Sequence, residues 1–286
     1  MNFDATFTLA DGRTLGYAVY GAADGVPVVA LHGSPDSRVI WRLANEAAHR
    51  VGVRVIAPDR PGFGISDPSP GRTVLGWCGD LTQLVDHLEC DRFGLLAISG
   101  GGIYASAYAW QHPERVSRLG LFSVLGPLDG PDAMSEMSRR IRVPFQLVRR
   151  FPALTRPMAR GLCRMASRNP KRVASIVTRS RPVEDRDIIA RPEMQEVLFD
   201  NLPNQFRDPE TIAAEVRASV RPWPFALDGI SVPTIIWQGG RDDVHTPAMA
   251  RHLADQIPDA RLEFEPGFAT FNFFDGLDNI LTALTE

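Results

Sequence analysis

Cysteine and histidine are scarce in this chain, and long apolar runs are missing. The three cysteines, Cys78, Cys90 and Cys163, are widely spaced and odd in number. They form neither a disulfide framework nor a metal-binding pattern, which fits a reducing compartment. The six histidines show no ligand spacing, so no metal and no other cofactor is expected. No apolar run approaches the roughly 18 residues of a membrane span. The N-terminal "MNFDATFTLADGR" has neither a basic start nor an apolar stretch, so it does not read as a signal peptide. A cytoplasmic protein with no membrane partner is the expectation.

What is present is core-forming material: 44% of the 286 residues are hydrophobic and 8% aromatic. That suits one large globular domain with an insertion. The net charge of −3 conceals an asymmetry, because residues 139–191 hold fifteen Arg and Lys against three acids. Two readings stand. The basic segment packs on an acidic body and solvates its outer face, or it attracts an anionic substrate or carrier. Nucleic acid is not an expected partner, since the whole chain is acidic and the basic residues are not interleaved with aromatics. The expected partner is a small-molecule substrate.

Along the chain, "ATFTLA" and "TLGYAVYG" flank an Asp11-Gly12 turn and read as a hairpin. The compact runs 27–31 and 53–57 are β-branched and nearly all apolar, as strands buried on both faces of a parallel sheet are. Helices are expected at 38–50, 73–89 and 102–112, with strands at 93–98 and 119–124. In the second helix Trp77, Leu81, Leu84, Val85 and Leu88 make one stripe. From 127 to about 228 the chain carries Pro-punctuated helical pieces and no parallel strand. Strand–helix alternation then resumes: strand 234–238, helix 247–257, strand 261–265, helix 272–284. The pattern predicts an α/β fold, a core domain of 1–126 plus 229–286, and a helical cap at 127–228.

"LLAISGGGIYA" places Ser99 between a strand and a helix, with Ala97 two residues before and Gly101 two after. A nucleophile elbow needs this arrangement. Its turn is too tight for large side chains at those positions, and its strain holds the hydroxyl out at the carboxyl edge of the sheet. Gly100-x-Gly102-x-x-Ala105 also fits a dinucleotide-binding fingerprint. That fingerprint belongs to a first βα turn, however, and the next strand ends in Ser123-Val124-Leu125 with no ribose-binding acid. A serine in an ordinary turn is the remaining alternative. "ALHGSPDS" follows the strand 27–31. Its turn aims the N–H of Ser34 toward the serine and, with the N–H of Gly100, makes the donor pair of an oxyanion hole. His32 reads as bracing that turn.

These pieces, together with "DRPGFGISDP", "WQHPERV" and "RPWPFALDGISVPTIIWQGGRDD", resemble the α/β-hydrolase fold. The likeness is to the capped type similar to proline iminopeptidases, epoxide hydrolases and small esterases, and it covers nearly the whole chain. The resemblance implies a mostly parallel eight-stranded sheet and a Ser…Asp…His order along the chain. Asp242, in "GGRDD" after a strand, matches the family's acid. Its histidine is expected about 28 residues further on, in a Gly-His-Phe-like setting. Thr270 stands there, between Ala269 and Phe271.

Threonine accepts no proton near neutral pH, and a serine hydroxyl without a base is a poor nucleophile. Loss of the histidine in a serine protease costs about 10⁶ in turnover. His245, three residues after Asp242, is the possible alternative base, against its ordinary reading as a loop histidine. Three explanations stay open. The chain is a non-hydrolytic relative (a lyase, isomerase, cyclase or binding protein). It is an inactivated His-to-Thr variant of an ordinary hydrolase. Or it hydrolyses a small, largely apolar ester, lactone or amide through Ser99 and the oxyanion hole, with a different base or with substrate assistance. If the base is simply absent, Thr270→His should create esterase activity.

Overall fold

The computed structural model describes residues 3–130 and 133–286. Met1 and Asn2, part of the N-terminal reading, and Pro131 and Asp132, part of the expected cap, lie outside the described residues.

The strands are β1 (Asp4–Thr8), β2 (Thr14–Gly21), β3 (Val26–Leu31), β4 (Val53–Pro58), β5 (Phe93–Ser99), β6 (Val116–Val124), β7 (Thr234–Gly239) and β8 (Ala260–Glu265). They form one sheet in the order β1-β2-β4-β3-β5-β6-β7-β8. β1 and β2 are the antiparallel entry, and β3 to β8 run parallel. The hairpin turn falls where the sequence puts it: Gly12 has φ +86°, and Leu9 and Arg13 close the loop by a backbone bond of 2.9 Å.

The helices between the strands are α1 (Asn45–Arg50), α2 (Val74–His87) and α3 (Gly102–Gln111). The first expected helix is in fact a 3₁₀ stretch, Arg38–Ala44, running into the short α1. Between β6 and β7 lie α4 (Arg139–Arg150), α5 (Thr155–Arg168), α6 (Pro170–Arg179), α7 (Val183–Ile189), α8 (Pro192–Gln205) and α9 (Pro209–Ser219). The chain ends with α10 (Pro247–Gln256) and α11 (Leu277–Thr285). The last helix starts later than expected. Residues 271–276 form a 3₁₀ turn ending at Gly276, and only then does α11 begin.

The sheet is covered on both faces, which is why its central strands read as unbroken apolar runs. On one face Trp77, Leu81, Leu84 and Val85 of α2, Tyr108 of α3 and Leu253 of α10 pack on Leu31, Leu95 and Leu121. On the other, Trp41, Leu277, Leu281 and Leu284 pack on Val28, Leu96 and Phe122. A fully buried leucine such as Leu81 contributes about 2 kcal/mol by area alone. A third cluster, with Phe63, Cys163, Leu202, Phe206 and Ile212, ties the inserted helices to the loop after β4. The three cysteines are free and buried. Among the described residues, no helix is long and apolar enough to cross a membrane.

Candidate active site

The elbow is built by steric necessity. β5 is buried along its length, and its last residue, Ser99, has φ +53°, the left-handed region that costs a side-chain-bearing residue energy. The following glycines let α3 sit close. A Cβ on Gly101 would lie 2.6 Å from the carbonyl of His32, and one on Gly102 would lie 2.6 Å from Val124 Cβ. Of the two glycines that fit a dinucleotide fingerprint, Gly102 is accounted for by helix–strand packing on Val124 and Gly100 by the close approach of Ser34, where a Cβ would lie 2.7 Å from the Ser34 hydroxyl oxygen.

Ser99 Oγ lies 2.8 Å from Nε2 of His245. His245 Nδ1 lies 3.1 Å from Oδ2 of Asp242. With Asp242 as acceptor, Nδ1 carries the imidazole proton and Nε2 offers its lone pair to the serine. Reading His245 as an ordinary loop histidine is therefore corrected: an imidazole is in hydrogen-bond reach of Ser99, and it comes from the loop after β7. The reason is local. Oδ1 of Asp242 accepts from the N–H groups of Val244 and His245, each at 2.9 Å. That turn folds residue 245 back over residue 242. Gln238 Nε2 donates to the His245 carbonyl at 2.7 Å and pins the far side of the loop. The signal in the sequence was Asp-x-x-His itself, an Asx-type turn that brings side chains three residues apart onto one side.

Thr270 is where the 28-residue spacing puts it, beside Asp242, but it is not a vacancy. Its hydroxyl donates to Oδ2 of Asp242 at 2.6 Å and lies 3.4 Å from His245 Nδ1. Burial pushes the Asp242 carboxyl up. The charge and hydrogen bond of His245, then the Thr270 hydroxyl and the His245 backbone N–H, outweigh it and hold the group at about 2. Removing the hydroxyl by Thr270→Val should lower kcat roughly tenfold and leave KM nearly unchanged, because one of the bonds that fixes the carboxylate is lost. Steady-state kinetics on one ester substrate checks this.

The loop after β3 reaches the same point. A Cβ on Gly33 would lie 3.1 Å from Ser99 Cβ, and one on Gly100 would lie 3.4 Å from the Ser34 nitrogen. Among the described residues, neither the Ser34 nor the Gly100 N–H donates to another protein group. His32 braces the turn as expected. It is fully buried, its Nδ1 lies 2.8 Å from the Gly33 carbonyl, and its Nε2 accepts from Arg60 N at 3.1 Å. Burial first, and then the Arg60 charge, push its imidazole well below the usual value.

Sequence reasoning missed the buried ionic cluster under this loop. Arg60 is fully buried and bonds the carbonyls of His32 (2.5 Å) and Gly33 (2.6 Å), and the Ser34 hydroxyl (2.7 Å). Glu215, on α9, accepts from Arg60, Arg72, Tyr104 and the Ser34 hydroxyl. Burial pushes its carboxyl up, but the Arg60 and Arg72 charges, with the Ser34 and Tyr104 hydroxyls, hold it at about 2. A cavity of about 320 Å³ opens above Ser99, lined below by Ser34, Gly100 and His245 and above by residues such as Phe145 and Val216 of the inserted helices.

Residues 28–267 match the alpha/beta hydrolase family. The chain belongs to the alpha/beta hydrolase family. Its relatives include several named as hydrolases and one named as a non-heme chloroperoxidase. It is 29% identical over 247 residues, 82% of this chain and 77% of the relative, to 2-hydroxy-6-oxononadienedioate/2-hydroxy-6-oxononatrienedioate hydrolase of Cupriavidus pinatubonensis. It is 37% identical over 121 residues to 2-hydroxy-6-oxo-2,4-heptadienoate hydrolase of Pseudomonas putida, where the match covers 38% of this chain. The chain spans only 43% of the length of that protein, and similarly less than half of other curated relatives. The fold is shared with the enol-lactonase from Burkholderia xenovorans LB400, at a TM-score of 0.71 and 21% identity, covering 98% of each chain.

Proposed function

We propose that this alpha/beta hydrolase acts on small, largely apolar carbonyl compounds (esters, lactones or amides) with Ser99 as nucleophile and His245 as general base. The observation that carries this is the 2.8 Å separation of Ser99 Oγ from His245 Nε2. Asp242 orients the imidazole and stabilises its charged form, and Thr270 steadies Asp242. The helical segment 127–228 serves as a lid that forms the roof of the cavity and keeps water from the reacting carbonyl.

In the first half-reaction the serine oxygen attacks the carbonyl carbon as its proton passes to Nε2. The N–H groups of Ser34 and Gly100 receive the negative oxygen of the tetrahedral intermediate. The imidazolium then gives its proton to the leaving alcohol or amine. Water, deprotonated by the same nitrogen, attacks the acyl-enzyme and releases the acid. The absence of a base was the motive for a non-hydrolytic reading, and an imidazole at Ser99 removes that motive.

A fluorophosphonate probe should label the native protein, and should fail on Ser99→Ala and slow by orders of magnitude on His245→Ala. Hydrolysis of p-nitrophenyl butyrate should follow the same order. A native protein that resists the probe and leaves the ester at its background rate would refute this reading.

A further inference from the structure

The basic segment 139–191 resolves into two kinds of residue. Twelve of its fifteen cationic side chains are exposed, the solvated outer face that one reading expected. Three are partly buried: Arg142, Arg181 and Arg191. Arg142 donates to the Ser135 carbonyl at 3.2 Å, and Arg191 makes a two-pronged pair with Asp275. Arg181 is different. Its Nη1 is buried and has no hydrogen-bond partner, and among the described residues its guanidinium makes no ion pair.

Arg181 lines the cavity above Ser99 and His245. Its guanidinium carbon stands 5.3 Å from the centroid of the Phe271 ring, a cation–π contact that fixes its direction. Phe271 is held in turn, since its N–H donates to Asp185 Oδ1 at 2.7 Å. The rest of the cavity wall is mostly apolar, with Leu125, Ile141, Phe145, Val177 and Val244 among its residues. Glu215 also reaches the cavity, but its carboxylate is consumed by Arg60 and Arg72. The buried Asp185 carboxyl feels the Arg181 charge without bonding to it, so a partly buried guanidinium keeps unmade bonds at the cavity wall, which is costly. The guanidinium is complementary to a planar anion that enters with the substrate.

Building on the hydrolase reading above, we propose that Arg181 is the specificity-determining residue of this site and selects an acyl group that ends in a carboxylate. One end of such a substrate presents its ester carbonyl to Ser99. The other end pairs with Arg181, and the apolar walls take the methylenes between them. The product is then a dicarboxylate, which requires an upstream reaction that yields a half-ester or a lactone with a free acid group.

The test compares mono-p-nitrophenyl adipate and glutarate with their methyl-capped, uncharged counterparts, the buffer rate being subtracted. The native enzyme should show the higher kcat/KM on the anionic esters, and raised salt should reduce that preference. Arg181→Gln should lower kcat/KM on the anionic esters by about 10- to 100-fold, as loss of a charged hydrogen bond does, and change the neutral esters by less than about threefold. Equal losses on both ester types would show that Arg181 only supports the fold, and would overturn the proposal. If the native protein hydrolyses neither type, the hydrolase reading fails on its own. The Arg181 claim is then decided by free adipate and glutarate on Ser99→Ala. A rise in melting temperature that Arg181→Gln abolishes supports it, and no rise in either protein overturns it.

Discussion

His245→Ala is expected to lower kcat for ester hydrolysis by about 10⁴- to 10⁶-fold, with KM within a few-fold of the native value. Among the described residues the serine hydroxyl is left with no hydrogen-bonded proton acceptor, because the Thr270 hydroxyl beside Asp242 is itself a donor to the carboxylate. Residual turnover then comes from binding and from the Ser34 and Gly100 N–H groups. Circular dichroism should show the fold intact. A variant that keeps kcat within tenfold would exclude His245 as base. Thr270→His alone should not improve the enzyme. Position 270 is only 2% exposed, so an imidazole there meets His245 and Asp242 in a filled space, and such overpacking costs about 1–3 kcal/mol.

The second large effect concerns folding. Glu215→Ala removes the carboxylate that pairs with both Arg60, fully buried, and Arg72, nearly so. Breaking a buried ion pair from one side typically costs about 3–5 kcal/mol, since the surviving charge keeps its burial without compensation. The melting temperature should fall by roughly 10 °C, and the urea midpoint should fall with little change in slope. Glu215 also shapes the acid limb of stability. Its folded-state carboxyl is held at about 2, below the ordinary value of 4.5. The stability it contributes is therefore complete above pH 4.5 and is lost as pH falls from there toward 2. Asp242, held at about 2 from 3.8, acts in the same direction within that range. Urea midpoints measured between pH 2 and pH 6 should fall steeply for the native protein and less steeply for Glu215→Ala. Parallel curves would refute the linkage.

The sheet was legible because its central strands are buried on both faces, which leaves an uninterrupted apolar signature. The elbow was legible because Gly101 and the small Ala97 are steric requirements of a single turn. The position of Thr270 was legible too, as a spacing of 28 residues from Asp242. What the sequence concealed was contact through space. The imidazole expected after β8 comes instead from the loop after β7, because Asp242 Oδ1 closes a turn that the residue types allow but do not advertise. Arg60 and Glu215 are 155 positions apart, so their pairing had no local trace. Arg181 was one cation among fifteen until its place on the cavity wall and the unbonded, buried Nη1 set it apart.

The proposed acid and base sit together, on one turn after one interior strand. β8, by contrast, lies at the margin of the sheet, and its side chains are half-buried or exposed. Were the base carried beyond β8, every fluctuation of that outer strand would pull imidazole and carboxylate apart. In this chain β8 and the loop after it brace that turn, through the Thr270 hydroxyl on Asp242, the Gly240 N–H on the Glu265 carbonyl and the Arg241 N–H on the Phe268 carbonyl. Both side chains of the candidate pair thus come from a single turn, and the β8–α11 connection meets that turn as its support and not as the source of the imidazole.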